Sequence, residues 1–181
     1  MTIKYLVVRF SSIGDIVLTT PVVRGLKEQV ENAEIHYLTK PQFVEILNNN
    51  PYIDKIHRLK PSLSATVKEL QSEGFDYIID LHKNLRTLRL KHRLKVLDFS
   101  FNKINREKWL MVNFKKNKLP DKHIVDRYME TVSVFDVEDD DKGLDYFIPQ
   151  KDLVEPQSEF NLKSNKYISF AIGGQHYTKK L

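Results

Sequence analysis

"VVRFSSIGDIVLTTPVVRGLK", residues 7 to 27, passes from an apolar run through a short polar loop with one glycine into an amphipathic segment that carries a proline. An apolar run of strand length, a turn and then a helical period make up half of a βαβ unit, the building block of a parallel sheet. Gly14 permits a tight turn, and the free N–H groups that open the next helix favour an anion there. The loop lacks the G-x-G-x-x-G spacing of a dinucleotide fingerprint. Asp15 stands where the chain turns over. It fits a helix N-cap, and it fits a carboxylate offered to a cleft as general base. The two roles pull its acidity apart, because a helix N-terminus favours the charged form whereas a base works best with a pKa near the operating pH. The helix is expected from Asp15 to about Val30, which puts Pro21 inside it. There a proline removes one backbone hydrogen bond and crowds the Val17 carbonyl, so a kink is predicted, with the Thr19 and Thr20 hydroxyls satisfying the freed groups.

The same alternation continues along the chain. Strands are expected at residues 3–10, 33–39, 54–59, 75–80 and 93–99, and helices at 41–48, 62–72 and 84–90. This pattern predicts an α/β fold, a Rossmann-like parallel sheet flanked by helices. After Phe101 comes a basic, irregular stretch containing Trp109, then a helix over 123–135. An acidic linker follows over 136–159, with Pro149, Pro156 and a weak strand at 144–148. Residues 166–174 read as the first strand of a new α/β unit. The expected organisation is therefore one domain over 1–160 and the start of a truncated second one over 161–181.

Composition limits the chemistry. The 181 residues are 41% hydrophobic and 29% charged, as in an ordinary globular protein. No apolar run is long enough to span a bilayer and the N-terminal apolar stretch is too short for a signal peptide, so a cytoplasmic location is expected. The absence of cysteine rules out disulfides, thiolate metal sites and a cysteine nucleophile. The formal charge of +5 is unevenly spread: between Lys83 and Lys118 the bases face only Asp98 and Glu107, and Glu138 to Asp141 is a solid acidic run. A concentrated basic stretch reads as a surface for phosphate or as a solvated face. With Phe99, Phe101, Trp109 and Phe114 interspersed, it also admits a nucleic-acid-binding module. Asp139 and Asp141 form a D-x-D pattern without a preceding strand, which reads as solvated. The six histidines include no H-E-x-x-H and no close pair, so no metal site is expected.

Two further groups carry chemistry. "DLHKNLRT", residues 80 to 87, follows a strand, so Asp80, His82, Asn84 and Arg86 either face the same cleft as Asp15 or make up a helix start with a few surface charges. "HIVDRY", residues 123 to 128, places His123, Asp126 and Arg127 on one helix face, either lining the cleft or making a plain salt bridge.

Together with the closing "AIGGQHYTKKL", these motifs resemble, in order along nearly the whole chain, the ADP-heptose:lipopolysaccharide heptosyltransferase family. The resemblance implies half of a GT-B glycosyltransferase, with the acceptor-binding domain present and the nucleotide-sugar domain begun. It implies Asp15 as catalytic base, with Ser11, Ser12, Gly14, Asp80, His82, Asn84, Arg86, His123 and Arg127 on the acceptor side. Gly173, Gly174, Lys179 and Lys180 would meet the donor. The implied reaction is an inverting, metal-independent transfer of heptose from ADP-heptose to the lipopolysaccharide inner core. No cofactor beyond the nucleotide-sugar donor is expected, nor any nucleic-acid partner. The acceptor would be an anionic lipid-linked glycan, met by peripheral, salt-sensitive contact with the cytoplasmic face of the inner membrane, without an insertion helix. The piece alone would be inactive. The chain departs from the family pattern at His82, Lys83 and Leu181, which leaves open a GT-B enzyme acting on another glycan.

Overall fold

The computed structural model describes residues 2–163 and 166–168. Two compact units divide the chain, Met1–Phe147 and Ile148–Leu181. In the first, five strands form one parallel sheet: β1 (Ile3–Val8), β2 (Ala33–Thr39), β3 (Lys55–Arg58), β4 (Tyr77–Asp80) and β5 (Leu97–Ser100). Their order is β3-β2-β1-β4-β5. The central strands are apolar on both faces because both are covered. Tyr5, Val7, Ile35 and Tyr37 point into one core, while Leu6, Val8, Leu38 and Ile78 point into the other. The chain first winds outward from β1 through β2 to β3, then returns to lay β4 and β5 on the other side. That reversal leaves a crevice outside the carboxyl ends of β1 and β4, where α/β sheets of this kind take their ligands.

Short helices α1 (Ile13–Val17) and α2 (Thr20–Gln29) follow β1. The single helix expected from Asp15 to Val30 is therefore broken at Leu18 and Thr19. Pro21 is the second residue of α2, where its missing N–H costs no helical bond, so the expected kink is instead a break. The two hydroxyls act as expected: Thr19 Oγ1 donates to the Ile16 carbonyl at 2.6 Å and Thr20 Oγ1 to that of Val17 at 2.8 Å. Gly14 lies inside α1 and has no left-handed backbone, so the turn does not depend on it; a Cβ there would meet open space.

Helices α3 (Leu63–Gln71) and α4 (Leu85–Leu94) pack on the second face through Val67, Leu70, Leu90 and Leu94. Residues 41–46 form a 3-10 helix opened by Pro41. The basic stretch contains a helix that its sequence does not announce, α5 (Asn105–Phe114). It exposes apolar side chains, Trp109 at 56%, Val112 at 78% and Phe114 at 58%. Helix α6 (Ile124–Met129) closes the first face with Val125, Tyr128 and Met129. It is shorter than the expected 123–135, and a 3-10 turn at Ser133–Phe135 follows.

The acidic segment departs most from its sequence reading. Residues 137–147 belong to the first unit and clasp α2. Arg24, 1% exposed, meets Asp140 through Nε at 2.7 Å and Nη2 at 2.6 Å, donates to the Gly143 carbonyl at 3.0 Å, and pairs through Nη1 with Asp145. Val137 lies so close to Gly25 that a Cβ there would come within 2.7 Å of its Cγ1, which explains a glycine in mid-helix. No strand forms at 144–148. In the second unit a 3-10 turn spans Gln150–Asp152 and α7 spans Pro156–Glu159. Gly173, Gly174, Lys179 and Lys180 lie outside the described residues.

Candidate active site

The crevice at the carboxyl ends of β1 and β4 is built around a buried arginine. Arg9 continues the line of β1, and its guanidinium is fixed on three sides. Nε donates to the Ser11 carbonyl at 2.8 Å, and Nη1 donates to the Leu81 carbonyl at 2.6 Å and to the Tyr128 hydroxyl at 3.0 Å. The remaining nitrogen, Nη2, lies 2.8 Å from Asp15 Oδ2.

Asp15 is the third residue of α1 rather than its cap, and Ser12 is the N-cap. The carboxylate reaches back, and Oδ2 accepts from Ser12 N at 3.0 Å and Ser12 Oγ at 2.9 Å. This is the reciprocal half of a capping box. All three contacts fall on the same oxygen, Oδ2. Partial burial works to raise the Asp15 pKa, but the two Ser12 hydrogen bonds and the Arg9 charge outweigh it and hold the carboxyl below its usual range.

Asp15 and Arg9 line a pocket of about 320 Å³ with Leu18, Lys103, Arg127 and Tyr128. Three cations thus share one pocket with one carboxylate, an arrangement suited to a substrate carrying phosphate or carboxylate groups. Among the described residues, three buried side-chain polar atoms have no hydrogen-bond partner: Asp80 Oδ2, His82 Nδ1 and Arg127 Nε. Lys91 Nζ is 3.3 Å from that Asp80 oxygen, a charge contact without hydrogen-bond alignment. Arg127 lines the pocket itself, and the His82 ring packs 4.9 Å from that of Phe10, just beyond β1. Burial first, then the charges of Arg9 and Lys103, push the His82 pKa down to about 4, so its imidazole is neutral at pH 7.

Not every candidate from the sequence converges here. Asp80 is buried at the end of β4 and accepts from the His82 and Lys83 amides at 3.1 and 2.7 Å, so it shapes the loop that carries His82. Asn84 is the N-cap of α4, accepting from Thr87 N at 2.9 Å. Arg86 is exposed on α4 and reaches the Pro61 carbonyl at 3.4 Å. His123 is exposed at the N-cap of α6, accepting from Val125 N at 3.3 Å, while Asp126 accepts from its amide at 3.0 Å. The expected helical pair is therefore a cap, and His123 lines a separate pocket with Pro21 and Asp139. Ser11 contributes its carbonyl to Arg9 and Ser12 its side chain to Asp15.

Sequence reasoning missed Arg9, Tyr128 and the particular role of Lys103. The signal for Arg9 was present, since it is a lone charge at the end of an apolar strand.

No family model matches the chain. Lipopolysaccharide heptosyltransferase 1 of Campylobacter coli is 25% identical over 122 residues, which cover 64% of this chain and 36% of that protein. A glycosyl transferase family 9 structure from Veillonella parvula DSM 2008 superposes with a TM-score of 0.65 at 20% identity, covering 82% of this chain and 46% of its own. E. coli heptosyltransferase WaaC with ADP-2-deoxy-2-fluoro heptose gives a TM-score of 0.62 at 18% identity, covering 79% and 51%. The sequence relative bears out the resemblance to the heptosyltransferase family, and the two structures share the Rossmann-like fold read from the sequence. The chain spans about half the length of those structures.

Proposed function

We propose that this chain is the acceptor-binding half of an inverting glycosyltransferase that moves heptose from ADP-heptose to the inner core of lipopolysaccharide, with Asp15 as general base. The observation that carries the reading is the one-sided engagement of Asp15. Oδ2 takes Ser12 and Arg9, which fixes the carboxylate, and Oδ1 is the oxygen left to accept the proton of an acceptor hydroxyl. As that proton moves to Oδ1, the hydroxyl oxygen attacks the anomeric carbon and the bond to the diphosphate breaks with inversion. ADP leaves as a stable anion, so cationic side chains suffice to receive it and no metal is needed. Lys103 and Arg127 would hold acceptor phosphate or carboxylate groups. Donor contacts are assigned to Gly173, Gly174, Lys179 and Lys180.

The acceptor carries a lipid, and α5 offers a means of meeting it at the cytoplasmic face of the inner membrane. Exposed Trp109, Val112 and Phe114 on α5 are followed, just past its end, by exposed Lys115, Lys116 and Lys118, apolar and basic groups that together favour an anionic lipid surface. Ile104 and Asn105, where this helix begins, line the Asp15 pocket. As one half of a two-domain enzyme, the chain by itself is expected to bind acceptor without turnover.

Asp15→Asn tests the assignment. Turnover by the protein joined to its donor-binding half should fall by at least about 100-fold. Acceptor affinity of the 181-residue chain should stay within about threefold of wild type. Parallel loss of both would reduce Asp15 to a binding or structural residue.

A further inference from the structure

The face of the sheet covered by α3 and α4 holds a cluster that takes no part in the pocket around Asp15. His36 on β2 and His57 on β3 stand 21 residues apart in sequence and come together across the β2–β3 register. Both are buried, at 1% and 2% exposure. Their rings lie edge to edge, within 29° of parallel and with centroids 5.1 Å apart, and His36 Nδ1 lies 2.9 Å from His57 Nε2. Each outer nitrogen meets a carboxylate. His36 Nε2 is 2.7 Å from Glu34 Oε1, and His57 Nδ1 is 3.2 Å from Glu69 Oε1.

This arrangement constrains where the protons are. An ionised carboxylate only accepts, so each imidazole donates from its outer nitrogen. In a neutral ring the inner nitrogen is then a bare lone pair. With both rings neutral, two lone pairs would face each other at 2.9 Å in a buried site, so the gap takes a positive charge, either a third proton or a metal ion. Glu73, just beyond α3, supplies a third donor: one ligand atom each of His36, His57 and Glu73 lies within 4.8 Å of the others. Glu34, Glu69 and Glu73 place three carboxylates around the pair, each also paired with a lysine, Lys4, Lys60 and Lys55 respectively.

We propose that His36, His57 and Glu73 form a binding site for a divalent transition-metal ion of the zinc type. Glu34 and Glu69 would act as the outer carboxylates that fix the tautomer and orientation of the two imidazoles, a recurrent support for metal-ligating histidines. At zinc–nitrogen distances of about 2.0–2.1 Å, opening the two nitrogens by about 0.4 Å gives the tetrahedral angle, and water completes the shell. The ion would tie β2, β3 and the end of α3 together, pinning the four-residue edge strand β3. This site is independent of the transferase reading and stands or falls without it.

The test is zinc titration of the untagged, chelator-stripped chain by calorimetry, with Co2+ absorption reporting the ligand set. One zinc ion per chain is expected, with a dissociation constant in the micromolar range or tighter. At zinc about 100 times that constant the thermal midpoint should rise by about 5 °C or more. Glu73→Gln should weaken binding by at least about tenfold and His57→Gln by more, with unchanged far-UV dichroism, while His92→Ala on the exposed face of α4 should change nothing. If His57→Gln fails to fold, long-range proton–nitrogen spectra of the wild-type histidines decide. Zinc must move the His36 and His57 ring nitrogens. Absence of saturable one-to-one binding, full affinity in Glu73→Gln, or shifts confined to exposed histidines would overturn the site and leave the pair sharing a proton.

Discussion

Replacing Arg24 by leucine removes the centre of the clasp that holds residues 137–147 on α2. The guanidinium is 1% exposed, while the Asp140 and Asp145 side chains keep 19% and 18% of their exposure. Breaking a buried ion pair by deleting one partner costs about 3–5 kcal/mol, because the other charges stay behind uncompensated. Since water already reaches both aspartates, the lower end applies, about 3 kcal/mol. For a unit of this size that lowers the melting midpoint by about 6–12 °C. A loss of that size is a large fraction of the ~5–15 kcal/mol that holds a domain together, so the variant should fold but unfold early. Urea unfolding followed by dichroism reads the difference directly. The effect also has a pH signature. Hydrogen bonds from Arg24 hold the Asp140 carboxyl well below the usual carboxylate range, so its contribution is complete above the unfolded value and fades as pH falls through the folded one. The gap between wild type and Arg24→Leu should therefore be full at neutral pH and shrink below about pH 4. A loss under about 1 kcal/mol at pH 7, or a gap that ignores pH, would refute the clasp.

Three further outcomes are expected. The His82 imidazole should stay neutral on titration from pH 8 to 5 and protonate near 4, which nitrogen chemical shifts will show; an ordinary titration near 6.5 would mean that the ring is not buried beside Arg9 and Lys103. Because its folded pKa is lowered, the unfolded chain binds the proton first, so stability should fall as pH drops from about 6.5 toward 4. Trp109 is the one tryptophan in the chain, so its emission reports on α5 alone. Vesicles containing anionic phospholipid should shift it to the blue, and about 0.5 M salt should reverse most of the shift; no shift with anionic vesicles would remove α5 from the membrane contact.

The five strands and the helices α3 and α4 were legible because each obeys a local period, and the central strands are apolar enough to be recognised without their neighbours. What escaped the sequence depends on partners far along the chain. The run at 138–141 has the charge density of a solvated segment, and nothing local reveals that Arg24, 116 residues before Asp140, turns its guanidinium into it. The histidines looked solitary because no spacing rule covers two residues brought side by side by strand register. Asn84, Arg86 and His123 were drawn to the cleft by their place after strands or in motifs, but helix starts have orphan amides to satisfy, and Asn84 and His123 answer that local demand. Asp15 and His82 do converge near Arg9, because the strand reversal brings the ends of β1 and β4 together whatever the intervening sequence, and Arg127 joins them from α6, which Tyr128 ties to Arg9.

The same arrangement bears on how Asp15, a carboxylate held below its usual pKa, would work in the proposed role of base. Basicity favours a pKa near the operating pH, and Asp15 lies on the wrong side of that optimum. Arg9 cannot simply swing away to raise it, since Nε and Nη1 are tied to Ser11, Leu81 and Tyr128. In that role the fixed pair would trade basicity for position: the carboxylate is ionised at neutral pH, is held in place, and would lose little ordering entropy when substrate arrives. What restores basicity must come from the substrate itself, by excluding water from Oδ1 and by bringing anionic groups that draw on the field of Lys103 and Arg127. An uncharged acceptor of the same shape would supply only the first of these effects. It should therefore bind more weakly and, once bound, surrender its proton more slowly than a phosphorylated one.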